Sequence, residues 1–166
     1  MNRILLALAL VAATALLSPG VAAAGSPPPA TGTWDDCNFA PVVRTAGPNT
    51  IVTIGITENF QGSLSGTYVG TERDVVYANG SATFHGNGVF TGTIAGRTGT
   101  ASYRYEGVFP VGSPSFHANW VLIGQTGGLA SANGQGTFGG VFGEITEACD
   151  GGTYFGTYQG QIQLTP

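Results

Sequence analysis

Apolar and polar residues alternate with a period of two along several stretches of this chain. The segments 52–57, 101–109, 116–122 and 154–164 each place apolar side chains on one face and mostly Thr, Ser, Asn or Gln on the other. Such alternation predicts β-strands that bury one face. From Trp34 onward no window shows the 3.6-residue period of an amphipathic helix. The pattern therefore predicts an all-β fold.

Glycine-rich turns separate these runs and indicate how the strands are arranged. Asn79-Gly80 predicts a type I′ hairpin between the runs 64–77 and 81–94. The chain has 28 glycines among 166 residues, too many for helices. Short strands with such turns are typical of a barrel or a sandwich. We favour a single closed antiparallel barrel, because a chain without lysine has few charges to protect exposed sheet edges.

The N-terminal residues have the pattern of a targeting segment. Residues 1–24 combine a basic start, an apolar stretch and small residues before a cleavage position, which predicts a signal peptide. The apolar stretch is too short to span a membrane. The proline-rich residues 25–33 are predicted to form an extended linker, and the barrel domain is expected to cover 34–166. We therefore expect a secreted protein, extracellular or periplasmic.

Cys37 and Cys149 are the only cysteines, and export would place them in an oxidising compartment. A disulfide between them is the favoured prediction, and two free thiols or a metal pair are the alternatives. With no nearby histidine, a metal pair is disfavoured. His85 and His117 lie on polar strand faces with no ligand-like spacing, so no metal site is predicted.

Charge and motifs exclude several functional classes. Charged residues make up 8% of the chain and the net charge is −4, which argues against nucleic-acid binding. No nucleophile motif is present. Residues 134–139 spell G-x-G-x-x-G but lack the strand–turn–helix context of a nucleotide loop, and no cofactor is predicted.

A series of short segments carries a family resemblance. These segments are 57–66, 70–74 (Gly-Thr-Glu-Arg-Asp), 82–86 and 134–138. The series resembles the bacterial family called domain of unknown function 3224, over about residues 50 to 162, and Gly-Thr-Glu-Arg-Asp is its most specific piece. The resemblance implies a calycin-like antiparallel barrel of about eight strands, like that of allene oxide cyclase and the dirigent proteins. The family has no settled activity.

Glu72 and Asp74 are the candidate catalytic residues. Residues i and i+2 of a strand project to the same side, so their carboxyl groups are neighbours. If that side faces the barrel interior, like charges in a low dielectric raise one pKa, as in acid/base pairs, and Glu58 could join them. The alternatives are that they pair with Arg97 or Arg104, or face water.

The aromatic side chains either line a ligand cavity or fill the barrel, because an eight-stranded barrel is wide enough only for packed side chains or one small ligand. The candidate ligand-binding residues are Tyr68, Tyr103, Tyr105 and Trp120. The sequence favours a secreted binding or accessory barrel, with a small apolar ligand or none, over an enzyme. The alternatives are an aspartic-peptidase-like hydrolase that uses Glu72 and Asp74, and a self-associating extracellular module such as a homodimer.

Overall fold

The alternation continues through eight strands in residues 27–165, the part of the chain that the computed structural model describes. All eight pair in sequence order with antiparallel neighbours, and β1 pairs with β8. The strands are β1 (Pro29–Ala46), β2 (Asn49–Gly62), β3 (Leu64–Val76), β4 (Ala82–Ile94), β5 (Arg97–Phe109), β6 (Ser115–Gly127), β7 (Ala132–Phe142) and β8 (Gly152–Leu164). The prediction of a closed antiparallel barrel is confirmed, and no helix occurs in residues 27–165.

Aromatic side chains fill the barrel and rest on glycines of neighbouring strands. A Cβ atom at Gly86 would collide with the ring of Tyr105, and one at Gly136 would collide with the ring of Trp120. Trp120 is only 1% exposed. The high glycine content is therefore a packing requirement, because these strands leave their inner surface free for large rings.

The two ends of the barrel differ. We call the end with the β2–β3, β4–β5 and β6–β7 connections the lower end, and the opposite end the upper end. Leu129, in the β6–β7 connection, is fully buried and closes the lower end together with Leu64, Ile94 and Ile162. The upper end carries aromatic rings together with the polar residues discussed below.

The first strand begins inside the predicted linker of residues 25–33. Pro29 lies opposite Gln161 of β8, and Thr33 lies opposite both Thr157 of β8 and Gln61 of β2. The proline run predicted extended backbone, but extended backbone at this position also completes the ladder that closes the barrel. Residues 29–33 are therefore part of β1, and the linker prediction was wrong from Pro29 on.

The Asn79-Gly80 hairpin is present, but it is not the predicted two-residue type I′ turn. The connection has five residues, because the flanking strands end at Val76 and restart at Ala82. A type I′ turn needs positive φ at both central residues. Of the residues in this connection only Gly80 has it, while the Asn79 side chain accepts a hydrogen bond from the backbone N–H of Ser81.

Cys37 of β1 and Cys149 of the β7–β8 connection form a disulfide at the upper end. The predicted signal peptide, residues 1–24, lies outside the described residues. Within residues 27–165, the chain forms nothing with the length and apolarity of a membrane-crossing helix.

Candidate functional site

A small acidic pocket opens at the upper end of the barrel, and we call it the acid pocket. It leaves a cavity of about 20 Å³, enough for roughly one water-sized group. Three carboxyl side chains line it, together with an amide and a wall of aromatic rings. The lining residues are Trp34, Asp36, Asn38, Glu58, Glu72, Phe84, Tyr105, Phe109, Phe116, Phe138 and Tyr154.

Asp36 and Glu58 are direct cross-strand neighbours within this pocket. The β1–β2 register places them opposite each other, and both side chains line the cavity. Directly opposed residues have Cβ atoms about 4.5–5.5 Å apart, so the two carboxyl groups share one small volume. Asp36 Oδ1 accepts a hydrogen bond of 2.7 Å from the backbone N–H of Tyr154. This bond fixes one oxygen of Asp36 and leaves the other free to face the pocket.

Burial strongly perturbs these carboxyl groups. Loss of hydration raises the pKa of Asp36 from 3.8 to about 8, although the Tyr154 hydrogen bond opposes the shift. Burial also raises the pKa of Glu58 well above its usual value, and the charge of Asp36 raises it further. The pair therefore holds protons at a pH where exposed carboxyl groups have lost them.

The sequence placed Glu72 and Asp74 on one strand face, and the structure turns that face inward. Glu72 lines the acid pocket, and burial and the charge of Asp74 raise its pKa. Burial also raises the pKa of Asp74.

The alternative arginine partners of Glu72 and Asp74 lie elsewhere. Arg104 is exposed on the outer face, and Arg97, at the lower end of the barrel, donates a hydrogen bond to the Thr165 carbonyl. Neither arginine lines the acid pocket.

Several buried polar atoms of the acid pocket have no hydrogen-bond partner within residues 27–165. They are Trp34 Nε1, Asn38 Oδ1 and Glu58 Oε2. Asn38 and Glu58 are only 4% and 2% exposed. A buried polar group without a partner costs about 1–3 kcal/mol. Buried polar atoms normally have a hydrogen-bond partner, so these atoms indicate a place where a polar ligand or a water molecule binds.

The predicted ligand-binding aromatics separate into two groups. Tyr105 lines the acid pocket. Tyr68, Tyr103 and Trp120 are at most 1% exposed and pack against one another, with Tyr103 stacked on Trp120 at 6.0 Å between ring centroids. The structure therefore does not bring these three to the pocket, because the rings themselves occupy the centre of the barrel.

His85 and His117 project outward, as their strand faces predicted, and both are exposed. No group of three or more His, Cys, Asp or Glu side chains in the described part of the chain is placed to hold a metal ion.

Sequence reasoning missed Asp36 and Asn38, and it named Glu58 only as an addition to the Glu72–Asp74 pair. A signal for the first two was present, because alternation from the inward-facing Trp34 places positions 36 and 38 on the same face. The alternation was hard to recognise because positions 35 and 36 are both Asp and the apolar Cys37 lies on the opposite face.

Comparisons with known proteins agree with this fold. A family model described as "Protein of unknown function (DUF3224)" matches residues 32–143. A crystal structure of a protein of unknown function from that family, from Shewanella oneidensis MR-1, matches with a TM-score of 0.59 and 18% identity. The alignment covers 84% of this chain and 98% of that one.

A second solved structure, of a protein of unknown function from Clostridium acetobutylicum ATCC 824, matches with a TM-score of 0.52 and 8% identity. This alignment covers 82% of this chain and 98% of the Clostridium chain. No curated protein matches the chain by sequence. At these identities the solved structures support the fold alone.

Proposed function

Because the chain belongs to the DUF3224 family, whose description assigns no activity, we propose a function from the site itself: a barrel that binds one small ligand at the acid pocket. The observation that carries this proposal is the set of buried polar atoms without partners, gathered around one cavity. A ligand that hydrogen-bonds to these atoms gains free energy on binding, because they have no partner among the protein groups of residues 27–165.

The aromatic wall supports an apolar part in the same ligand. Phe109 and Tyr154 are partly exposed at the upper end, with Phe116 between them at 5.1 and 6.1 Å between ring centroids. The cavity of about 20 Å³ admits only a small polar group. An apolar body would therefore lie against these three rings at the mouth, and not inside the filled barrel.

Native mass spectrometry of protein purified from its host tests this proposal. We expect an added small-molecule mass that is lost on denaturation. A Phe116→Ala variant should retain less of it, whereas Val111→Ala, in the exposed β5–β6 connection, should retain the normal amount. Empty protein across several preparations would contradict the proposal.

We also propose that the protein is exported. The predicted leader and the Cys37–Cys149 disulfide support export, because disulfides persist in oxidising compartments. N-terminal sequencing of the secreted protein should give Gly25 as the first residue. An intracellular protein that keeps Met1 would contradict this.

Hydrolysis by Glu72 and Asp74 is the second candidate function. The supporting observation is that these two carboxyl groups share the inner face of β3 and both have raised pKa values, so one could remain protonated beside an ionised partner. Peptide and ester panels assayed at acidic pH test it with Glu72→Gln and Asp74→Asn. Hydrolysis that survives both substitutions, or no hydrolysis by the unaltered protein, would contradict it.

Self-association is supported by exposed apolar residues on the outer face. Val69, Val89 and Ile123 lie in one row across β3 to β6, with Ser102 between the last two, and are 56%, 40% and 47% exposed. Analytical ultracentrifugation should show a dimer that Val89→Asp weakens. A monomer at high protein concentration would contradict this proposal.

A further inference from the structure

The acid pocket has carboxyl oxygens that could accept hydrogen bonds from a cation, but no basic side chain in the described part of the chain lines it. Asp36, Glu58 and Glu72 all line it, and none of the four arginines in residues 27–165 does. Carboxyl groups buried without positive partners are costly, and they either stay protonated or take up a cation. The three carboxyl groups of the pocket therefore have no positively charged partner among the side chains of residues 27–165.

The oxygen atoms without partners show where a donor would bind. Glu58 Oε2 and Asn38 Oδ1 belong to side chains that are almost fully buried, and both side chains line the same cavity as Asp36. One oxygen of Asp36 is already occupied by the Tyr154 N–H. A group that satisfies these acceptors needs several hydrogen-bond donors directed to different sides. A primary ammonium group has three donors and no acceptor.

Resting on the proposed function, we infer that the ligand is a small primary amine whose ammonium group lies between Asp36 and Glu58 and donates to Asn38. The cavity size suits this group, since about 20 Å³ holds one water-sized species. The rings of Phe109, Phe116 and Tyr154 at the mouth would contact the carbon chain and stabilise the adjacent positive charge.

The lining disfavours other cations. Ca²⁺ takes six to eight oxygen ligands, and Mg²⁺ requires near-ideal octahedral oxygen geometry. Most of the side chains that line the acid pocket are aromatic, and although three carboxyl groups line it, no three carboxylate or imidazole side chains among the residues described are placed to hold one metal ion. A guanidinium group is planar and larger than the cavity.

The test uses matched ligands that differ only in the polar head: hexylamine, hexan-1-ol and hexanoate, with tryptophan fluorescence and calorimetry as readouts. Trp34 lines the pocket and should report binding. We expect hexylamine to bind at least about tenfold more tightly than hexan-1-ol, equivalent to about 1.4 kcal/mol, and hexanoate to bind least. Asp36→Asn and Glu58→Gln should each weaken hexylamine binding about tenfold and weaken hexan-1-ol binding much less, because only the ammonium group loses a charge partner.

Glu106→Gln, on the exposed outer face of β5, is the matched control and should change nothing. Equal affinities for the amine and the alcohol would overturn the inference while leaving the ligand-binding proposal standing. Displacement of hexylamine by millimolar Ca²⁺ or Mg²⁺ would also overturn it. Absence of binding by all three probes, together with empty protein in the native mass spectra, would overturn both. If Asp36→Asn fails to fold, Glu58→Gln gives the same discrimination.

Discussion

The buried carboxyl groups predict that this barrel loses stability as the pH rises from acidic to neutral. Asp36 provides the clearest case, because its pKa is about 8 in the folded protein and near 3.8 when hydrated. Between these values the folded state binds a proton that the unfolded state has released. The free energy of unfolding therefore decreases with rising pH across this window.

The magnitude follows from the proton count. One extra proton in the folded state changes the free energy of unfolding by about 1.4 kcal/mol per pH unit. Asp36 alone should therefore lower the free energy of unfolding by about 3 kcal/mol between pH 5 and pH 7. Burial shifts the pKa values of Glu58, Glu72 and Asp74 in the same direction, so their contributions have the same sign.

Urea denaturation at half-unit pH steps, followed by far-ultraviolet circular dichroism, measures this slope. Asp36→Asn should reduce the slope by about 1.4 kcal/mol per pH unit, because the amide does not titrate. Glu106→Gln, on the outer face, should leave it unchanged. A wild-type stability that is constant or rises between pH 5 and pH 7 would refute the reasoning, and so would an Asp36→Asn variant with the full slope.

Three further predictions concern stability. Replacing Cys37 and Cys149 by Ser should lower the free energy of unfolding by up to about 4.7 kcal/mol, since the disulfide closes a loop with a sequence separation of 112, and urea titration measures this. Glu58→Leu should raise the unfolding free energy by about 1–3 kcal/mol at neutral pH, because it removes a buried acceptor without a partner; a destabilised variant would contradict this. Gly86→Ala should lower it by about 1–3 kcal/mol, because the new methyl group meets the Tyr105 ring; an unchanged midpoint in thermal unfolding would contradict this.

Much of the fold follows from local pattern. Tyr103, Tyr105 and Trp120 could be assigned to an inner face because a strand alternates strictly and all but one of their sequence neighbours are polar. The inward direction of Glu72 was predicted only conditionally, since alternation divides a strand into two faces without showing which one is buried. In β3 each face mixes apolar and charged residues, with Glu72 and Asp74 on one face and Arg73 on the other, so hydrophobicity could not decide.

The composition of the acid pocket depends on long-range register and was harder to predict. Asp36 meets Glu58 only because β1 and β2 pair in one register, and a shift of one residue would turn either side chain outward. The size of the cavity depends on how rings from six strands pack together, which alternation alone cannot give. For the same reason the sequence could not show which of the four candidate aromatics reaches the acid pocket: Tyr105 lines it, whereas Tyr68, Tyr103 and Trp120 fill the centre of the barrel.

The pairing of β1 with β8 brings the two ends of the described chain together at the lower end, where the Ile162 N–H donates a hydrogen bond of 3.3 Å to the Pro28 carbonyl. The strand order is thus cyclic, and no particular strand must come first. A short linker from the C-terminal end back to Pro28 would allow the chain to be reopened at the exposed Asn79-Gly80 turn with every ladder intact. Such a circular permutant keeps every strand pairing and moves the chain termini from the lower end to the upper end, where a reporter could be attached on the same side of the barrel as the acid pocket.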